Sequence, residues 1–181
     1  MAYTHILAPT DFSAPAQHAL CNALEEATHH QAQLTLLHVL HPHHTTDVHY
    51  IKGAPENRQG YGVDAGGTLP LPALPPMETV RRDYIEEATV QLRDLIPDSF
   101  TSPWHVRVAT GDPADAIVRM AQEIGADLII MGTHGRTGLS HILLGSVAEK
   151  VVRHAFCPVL TIKHSQPVAP TAASSMPSGK T

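Results

Sequence analysis

Asp127-Leu128-Ile129-Ile130-Met131-Gly132-Thr133-His134-Gly135-Arg136-Thr137-Gly138 is the stretch that decides how this chain folds. Its first half holds four apolar residues in a row, with none of the alternation of a strand wetted on one face. Such a run reads as a strand buried on both faces, and doubly buried strands belong to parallel sheets flanked by helices. Its second half is a glycine-rich loop leaving the carboxyl end of that strand.

Outward from this stretch the same alternation of apolar runs and helical spacing recurs. His5-Ile6-Leu7-Ala8 predicts a first buried strand stopped by Pro9, and Leu34 to Leu40 a second. His105 to Ala109 predicts a third, Asp127 to Met131 is the fourth, and Pro158 to Ile162 the fifth. Between them, Ser13 caps a helix to about Thr28, with Ala16, Leu20, Ala23, Leu24 and Ala27 on one stripe. Val80, Tyr84, Ala88 and Leu92 space a second helix that ends near Pro97. Gly111-Asp112-Pro113 starts a third, because Asp112 accepts from first-turn amides and Pro113 sits where no N–H is needed. Val147, Val151 and Val152 mark a fourth, and Ser146-x-x-Glu149 at its head has the form of a capping box. The expected fold is one doubly wound α/β domain over residues 1–164, a five-stranded parallel sheet of order 3-2-1-4-5 with helices on both faces. Residues 41–77 lose all periodicity in Pro, Gly and His and read as a long flexible insertion; 165–181 reads as a disordered tail.

In such a sheet ligands bind beyond the strand ends where the winding reverses, here between strands one and four. The loops that open there are Pro9-Thr10-Asp11-Phe12-Ser13 and the glycine-rich run already quoted, followed by Gly145-Ser146 at a helix start. Glycines let backbone amides close around oxygens, and a helix N-terminus offers unpaired amides to an anion. Each feature has a plainer reading: Asp11 as an Asx-turn residue, Ser146 as a cap, the glycines as turn residues. Their meeting at one crevice is what points to a phosphate-bearing ligand.

Composition excludes other classes. The chain has 181 residues, 43% apolar and 16% charged, with 12 basic against 17 acidic side chains and no basic cluster suited to nucleic acid. Arg81-Arg82 is followed by Asp83 and reads as a solvated helix face. The N-terminus lacks a basic and then apolar leader, and no apolar run approaches the roughly 18 residues that cross a bilayer. A cytoplasmic protein with no membrane partner is expected. Cys21 and Cys157 lie far apart and read as buried small hydrophobes. Among fourteen histidines, His41-Pro42-His43-His44 with His49 would suit a transition metal, but no cysteine or carboxylate spacing joins them and a polar loop is preferred. His29-His30 complements a helix dipole, and His38 reads as a structural histidine. Gly179-Lys180-Thr181 is not a P-loop, since Ser174 stands where a glycine is required.

The motifs quoted, with Ile6-Leu7-Ala8-Pro9-Thr10-Asp11-Phe12-Ser13 and His154-Ala155-Phe156-Cys157-Pro158-Val159-Leu160, resemble the universal stress protein family. The family's ATP-binding branch carries Gly-x2-Gly-x9-Gly-Ser/Thr, supplied here by Gly132, Gly135, Gly145 and Ser146. The resemblance implies Asp11 beside the adenosine moiety with Pro9 and Thr10 lining it, and Val39 as backbone and apolar wall for adenine. It implies Gly132, Gly135 and Gly145 around ribose and phosphates, Ser146 and Val147 on phosphate oxygens, and Arg136 or His134 over them, with Met131 and Thr133 completing the set. ATP, with Mg²⁺, or a related adenine nucleotide is the implied cofactor, and no catalytic residue stands out. The implied role is a nucleotide-responsive stress or signalling regulator with a protein partner; slow ATP hydrolysis or self-phosphorylation, and a nucleotide-free interaction protein, stay open. The resemblance also implies a homodimer joined through strand 158–163.

Overall fold

The computed structural model describes residues 2–41, 77–133 and 144–163. Apart from His41 and Met77 at its ends, the expected insertion lies outside the described residues, as do the tail from 165 and loop residues 134–143. The elements alternate as β1 (His5–Pro9), α1 (Ala14–His30), β2 (Gln33–Leu40), α2 (Met77–Asp94), β3 (Trp104–Thr110), α3 (Pro113–Glu123), β4 (Leu128–Gly132), α4 (Ser146–His154) and β5 (Val159–Ile162). The five strands form one sheet of order β3-β2-β1-β4-β5, each pair parallel, as expected.

The continuous apolar runs follow from the two-sided burial. Ile6, Ala8, Leu34, Leu36, Leu128 and Ile130 turn to one face, where they pack with Leu20, Ala23 and Ala27 of α1 and Leu92 of α2. Leu7, Leu37, Ile129 and Met131 turn to the other and meet Ile117 and Ala121 of α3 and Ala148 and Val151 of α4. Successive strand residues point to opposite faces, so each run must be apolar throughout. The α1 stripe is Ala16, Ala19, Leu20, Ala23 and Ala27. Leu24 is only half-buried at its rim.

Local readings needed correction at two places here. Cys21 is exposed and Cys157 half-buried, so the expectation of two buried thiols fails for the first. Cys21 follows Leu20 by a helical step of about 100°, which carries it off the buried stripe. Pro9 is part of β1 rather than its stop. Its missing donor matters only where a neighbour could accept, and the Thr10 amide already points at β2, donating to the Leu37 carbonyl at 2.8 Å. The Pro9 nitrogen therefore faces β4, and with no N–H to give there the ladder between β1 and β4 ends at Leu7–Ile129 while that with β2 runs on.

No helix among the described residues is long and apolar enough to cross a membrane.

Candidate functional site

The end of the β1–β4 ladder places the site. β1 stays paired with β2 as far as Pro9–Leu37, and β4 stays paired with β5 as far as Gly132–Ile162. Between β1 and β4 the register covers only Ile6–Leu128 and Leu7–Ile129. The β1–β4 ladder thus ends short of the carboxyl edge at the seam where the winding reverses, with Pro9 on one side and Met131 and Gly132 on the other.

The loop after β1 is held by its own polar groups. Thr10 is buried, and its Oγ1 accepts from the Phe12 amide at 3.0 Å. Asp11 Oδ1 accepts from the Ser13 amide at 3.0 Å and from the Ser13 hydroxyl, an Asx turn. Ser13 is also the N-cap of α1, its Oγ accepting from the Ala16 amide at 3.4 Å. The turn and ligand readings of Asp11 therefore act on one residue: the turn engages one carboxylate oxygen and leaves the side chain half-exposed at the seam.

Across the seam, the Thr133 amide donates to the Ile162 carbonyl at 3.0 Å, and the Gly145 amide donates to the Thr133 carbonyl at 2.7 Å. The second bond closes the chain on itself, bringing Gly132 and Thr133 beside Gly145, Ser146 and Val147. Gly145, in extended conformation at φ −69 and ψ 155, is the N-cap of α4, and among the described residues no side chain caps that helix start. The capping-box alternative for Ser146 is thus not the arrangement found. Glu149 donates its amide to the Gly145 carbonyl at 2.9 Å, and Ser146 is the first helical residue with its side chain exposed. The amides of Ser146, Val147 and Ala148 have no intrahelical acceptor, and the partial positive charge of the helix end is directed outward. An anion placed there is met by three donors and a hydroxyl.

Val39 stands half-buried near the end of β2, packed against the second core. Of the expected site residues, Pro9, Thr10, Asp11, Val39, Met131, Gly132, Thr133, Gly145, Ser146 and Val147 all occupy the carboxyl edge of the sheet or the helix start beside it. His134, Gly135 and Arg136 lie outside the described residues. Sequence reading gave no site role to Phe12 or His38. Phe12 takes φ 64, a left-handed conformation that its residue type does not announce, and its ring lies 4.6 Å from that of buried His38. The position of His38, one residue before Val39, was the only available signal.

Titration is displaced at the opposite, amino edge of the sheet. Burial pushes His5 below its ordinary value, and its Nε2 lies 2.9 Å from the hydroxyl of Thr35. Burial works to raise Asp127, but hydrogen bonds from the Thr4 hydroxyl at 2.7 Å, the His5 amide at 3.0 Å and the Thr4 amide at 2.8 Å outweigh it and hold the carboxyl low. Burial, and then the Asp127 charge, push the Cys157 thiol up, which makes it a poor nucleophile. Asp127 pins the start of β1 to the start of β4, so the seam whose ladder ends early at one edge is clamped at the other. Among the described residues no group of three or more His, Cys, Asp or Glu side chains is placed to hold a metal, and His43, His44 and His49 lie outside them.

Comparison with known proteins gives one consistent relationship. A family model described as the universal stress protein family matches residues 2–64 and 69–163. Universal stress protein MJ0577 of Methanocaldococcus jannaschii is 31% identical over 167 residues, covering 89% of this chain and 95% of that protein. Its solved structure superimposes with a TM-score of 0.68 at 28% identity, over 91% of this chain and 99% of that one. Universal stress protein MJ0531 of the same organism is 42% identical over 107 residues, which span 57% of this chain and 62% of that protein. A universal stress protein crystallised in complex with cAMP shares the fold, with a TM-score of 0.54 at 21% identity over 90% of this chain and 98% of that one.

Proposed function

The chain belongs to the universal stress protein family, and we propose that its part in it is to bind an adenine nucleotide, ATP with Mg²⁺, at the β1–β4 seam and so act as a nucleotide-responsive regulator. The observation that carries this reading is the 2.7 Å bond from the Gly145 amide to the Thr133 carbonyl. It sets a helix N-terminus that has no side-chain cap among the described residues beside the end of β4, at the place where the β1–β4 ladder ends. Several convergent amides suit a polyphosphate, because one helix end contributes only about 0.3–1 kcal/mol to an exposed anion. Half-buried Val39, with buried Pro9 and Met131 behind the strand ends, is the apolar side assigned to a purine in this proposal, and half-exposed Asp11 an acceptor for ribose or adenosine donors. The residues outside the described set, His134, Gly135 and Arg136, complete the phosphate end in this proposal. That a fold relative is seen with cAMP lends the adenine class support.

Regulation requires a surface that a partner can read. Among the described residues β5 is an edge strand with no neighbour on its outer side; Leu160 is 40% exposed and Phe156, four residues before it, 74%. We assign this edge, 158–163, to pairing with a second copy in a cytoplasmic homodimer. Downstream protein contact is then modulated by the nucleotide held at the seam.

The test is to heat-denature the purified protein, identify any released nucleotide, and titrate the stripped protein with ATP and Mg²⁺. Retained or rebound ATP is expected. No binding at millimolar ATP, or a folded Gly135→Val/Gly145→Val variant that binds as well as the parent, ends the proposal. Single-turnover measurement with labelled ATP separates a regulator from a slow ATPase or self-phosphorylating protein, since only the latter two release or transfer phosphate.

A further inference from the structure

His38 is a buried polar residue of β2 whose ring reaches across to the loop after β1. Its Nδ1 lies 2.8 Å from the carbonyl oxygen of Thr10. A carbonyl only accepts, so Nδ1 carries the proton and donates. The face of the same ring meets Phe12, centroid to centroid at 4.6 Å with the planes tilted by 41°. Phe12 is in the left-handed region at φ 64, which a bulky side chain rarely adopts unless its surroundings hold it there. One histidine thus grips the residue before Asp11 by a hydrogen bond and the residue after it by ring contact. Asp11 lies between the two grips, and its own Oδ1 is tied to Ser13.

We propose that His38 is a positioning residue for the nucleotide site: it clasps Thr10 and Phe12 and thereby fixes the direction in which Asp11 presents its carboxylate to the adenosine end of the ligand. This rests on the adenine-nucleotide reading of the seam. The clasp acts at the adenosine end and not at the helix start of α4, so the two ends of the ligand should respond differently when it is cut.

Asn keeps a side-chain N–H at the position of Nδ1 and loses the ring; Phe keeps a ring and loses the donor. Losing a buried hydrogen bond that orients one ligand contact corresponds to about tenfold in affinity, so His38→Phe should weaken ATP and adenosine by about that factor and leave tripolyphosphate unchanged. His38→Asn should stay within about threefold of the parent for all three. Once Asp11→Ala has removed the group being aimed, adding His38→Phe should change ATP affinity by less than about twofold, the non-additivity expected of residues acting through one another. Equal losses in both backgrounds, or no loss in either, overturn the inference, because a generally loosened fold would weaken binding whether or not Asp11 is present. Should His38→Phe fail to fold, His38→Asn carries the test, and a loss beyond about tenfold there sinks it. In the nucleotide-free protein, amide exchange at Phe12 and Ser13 should quicken more in His38→Phe, which loses the bond to Thr10, than in His38→Asn, which keeps it and loses only the ring contact. That arm is independent of the ligand: a parent that binds no nucleotide removes the proposed function, while unchanged exchange removes the clasp.

Discussion

Replacing Ser146 by Ala separates the two jobs that local chemistry offers this residue. Ser146 is the first helical residue of α4, exposed, and the cap position before it belongs to Gly145, with no side chain among the described residues closing the helix start. Removing the hydroxyl therefore leaves every helix amide as it was, and the stability change should stay within the ±0.5 kcal/mol of an ordinary surface substitution, about 0.5 kcal/mol at most. Had Ser146 been the cap, its loss would cost about 1 kcal/mol. That is about 2–4 °C in melting temperature for a chain of this length. Ligand binding should move in the other direction. A hydrogen bond to a charged oxygen is worth about 1.5–3 kcal/mol, and exposure to solvent argues for the lower end. At 1.4 kcal/mol per decade, ATP affinity should fall about tenfold. Adenosine lacks the phosphates and should bind as before. Calorimetric titration of parent and variant with both ligands, beside thermal unfolding of each, gives the whole answer. A melting temperature lower by about 3 °C with ATP affinity unchanged would falsify the assignment and restore Ser146 as a cap.

Three further outcomes follow from the same geometry. Ile130 is fully buried between β4 and the α1–α2 face, so Ile130→Ala should cost about 2–5 kcal/mol in urea unfolding; a cost under about 1 kcal/mol would show that this core collapses around the gap. Stability should fall with acid in two stages. His5 is held below 6.5 by burial, so the unfolded chain takes up its proton first and stability declines as pH drops from 6.5 towards the native value. Asp127 is held below 3.8, so its contribution is whole above 3.8 and is lost only as pH falls through its lower native value. His5→Gln should erase the first stage of a urea-midpoint profile between pH 7 and 3 and leave the second; a profile identical to the parent's contradicts the assignment. Leu160→Asp puts a charge on the exposed edge of β5 without touching the core, and sedimentation at micromolar protein should show monomer where the parent is dimer. A parent that is monomeric, or a variant that still dimerises, removes the pairing surface.

The sheet order was legible because two-sided burial leaves a mark in the sequence that little else imitates. Leu34-Thr35-Leu36-Leu37 and Leu128-Ile129-Ile130-Met131 are apolar with scarcely a break, and alternate residues of each go to different cores. Thr35 fits because its hydroxyl finds the His5 ring. Asp112 as the cap of α3 was equally readable, since the cap, the Pro at N1 and the preceding Gly111 act within three residues of one another. Phe12 could not be read: a left-handed phenylalanine is held by His38 and Thr10, groups its neighbours in sequence do not reveal. Residues 134–136 of the glycine pattern remain readable in sequence alone.

The two boundary errors at the site share one cause. Proline rules itself out of a strand by lacking a donor, and Ser-x-x-Glu proposes itself as a cap by its side chains; both inferences see only a few residues of chain. At Pro9 the missing donor faces β4, and there the β1–β4 ladder ends, while pairing with β2 continues through Pro9–Leu37. At Ser146 the cap is displaced one residue earlier because Thr133, twelve positions before Gly145, takes the Gly145 amide and fixes that residue extended. Each local rule fails where the chain answers to the end of the ladder between β1 and β4. A ladder that stops before Pro9 and a helix start whose cap residue is a glycine both leave backbone groups without a ladder or intrahelical partner among the described residues, and such groups suit an outside partner. Two of the places where local chemistry misjudges this fold therefore lie at the end of the β1–β4 ladder, where the proposed partner is an anion carried on an apolar ring.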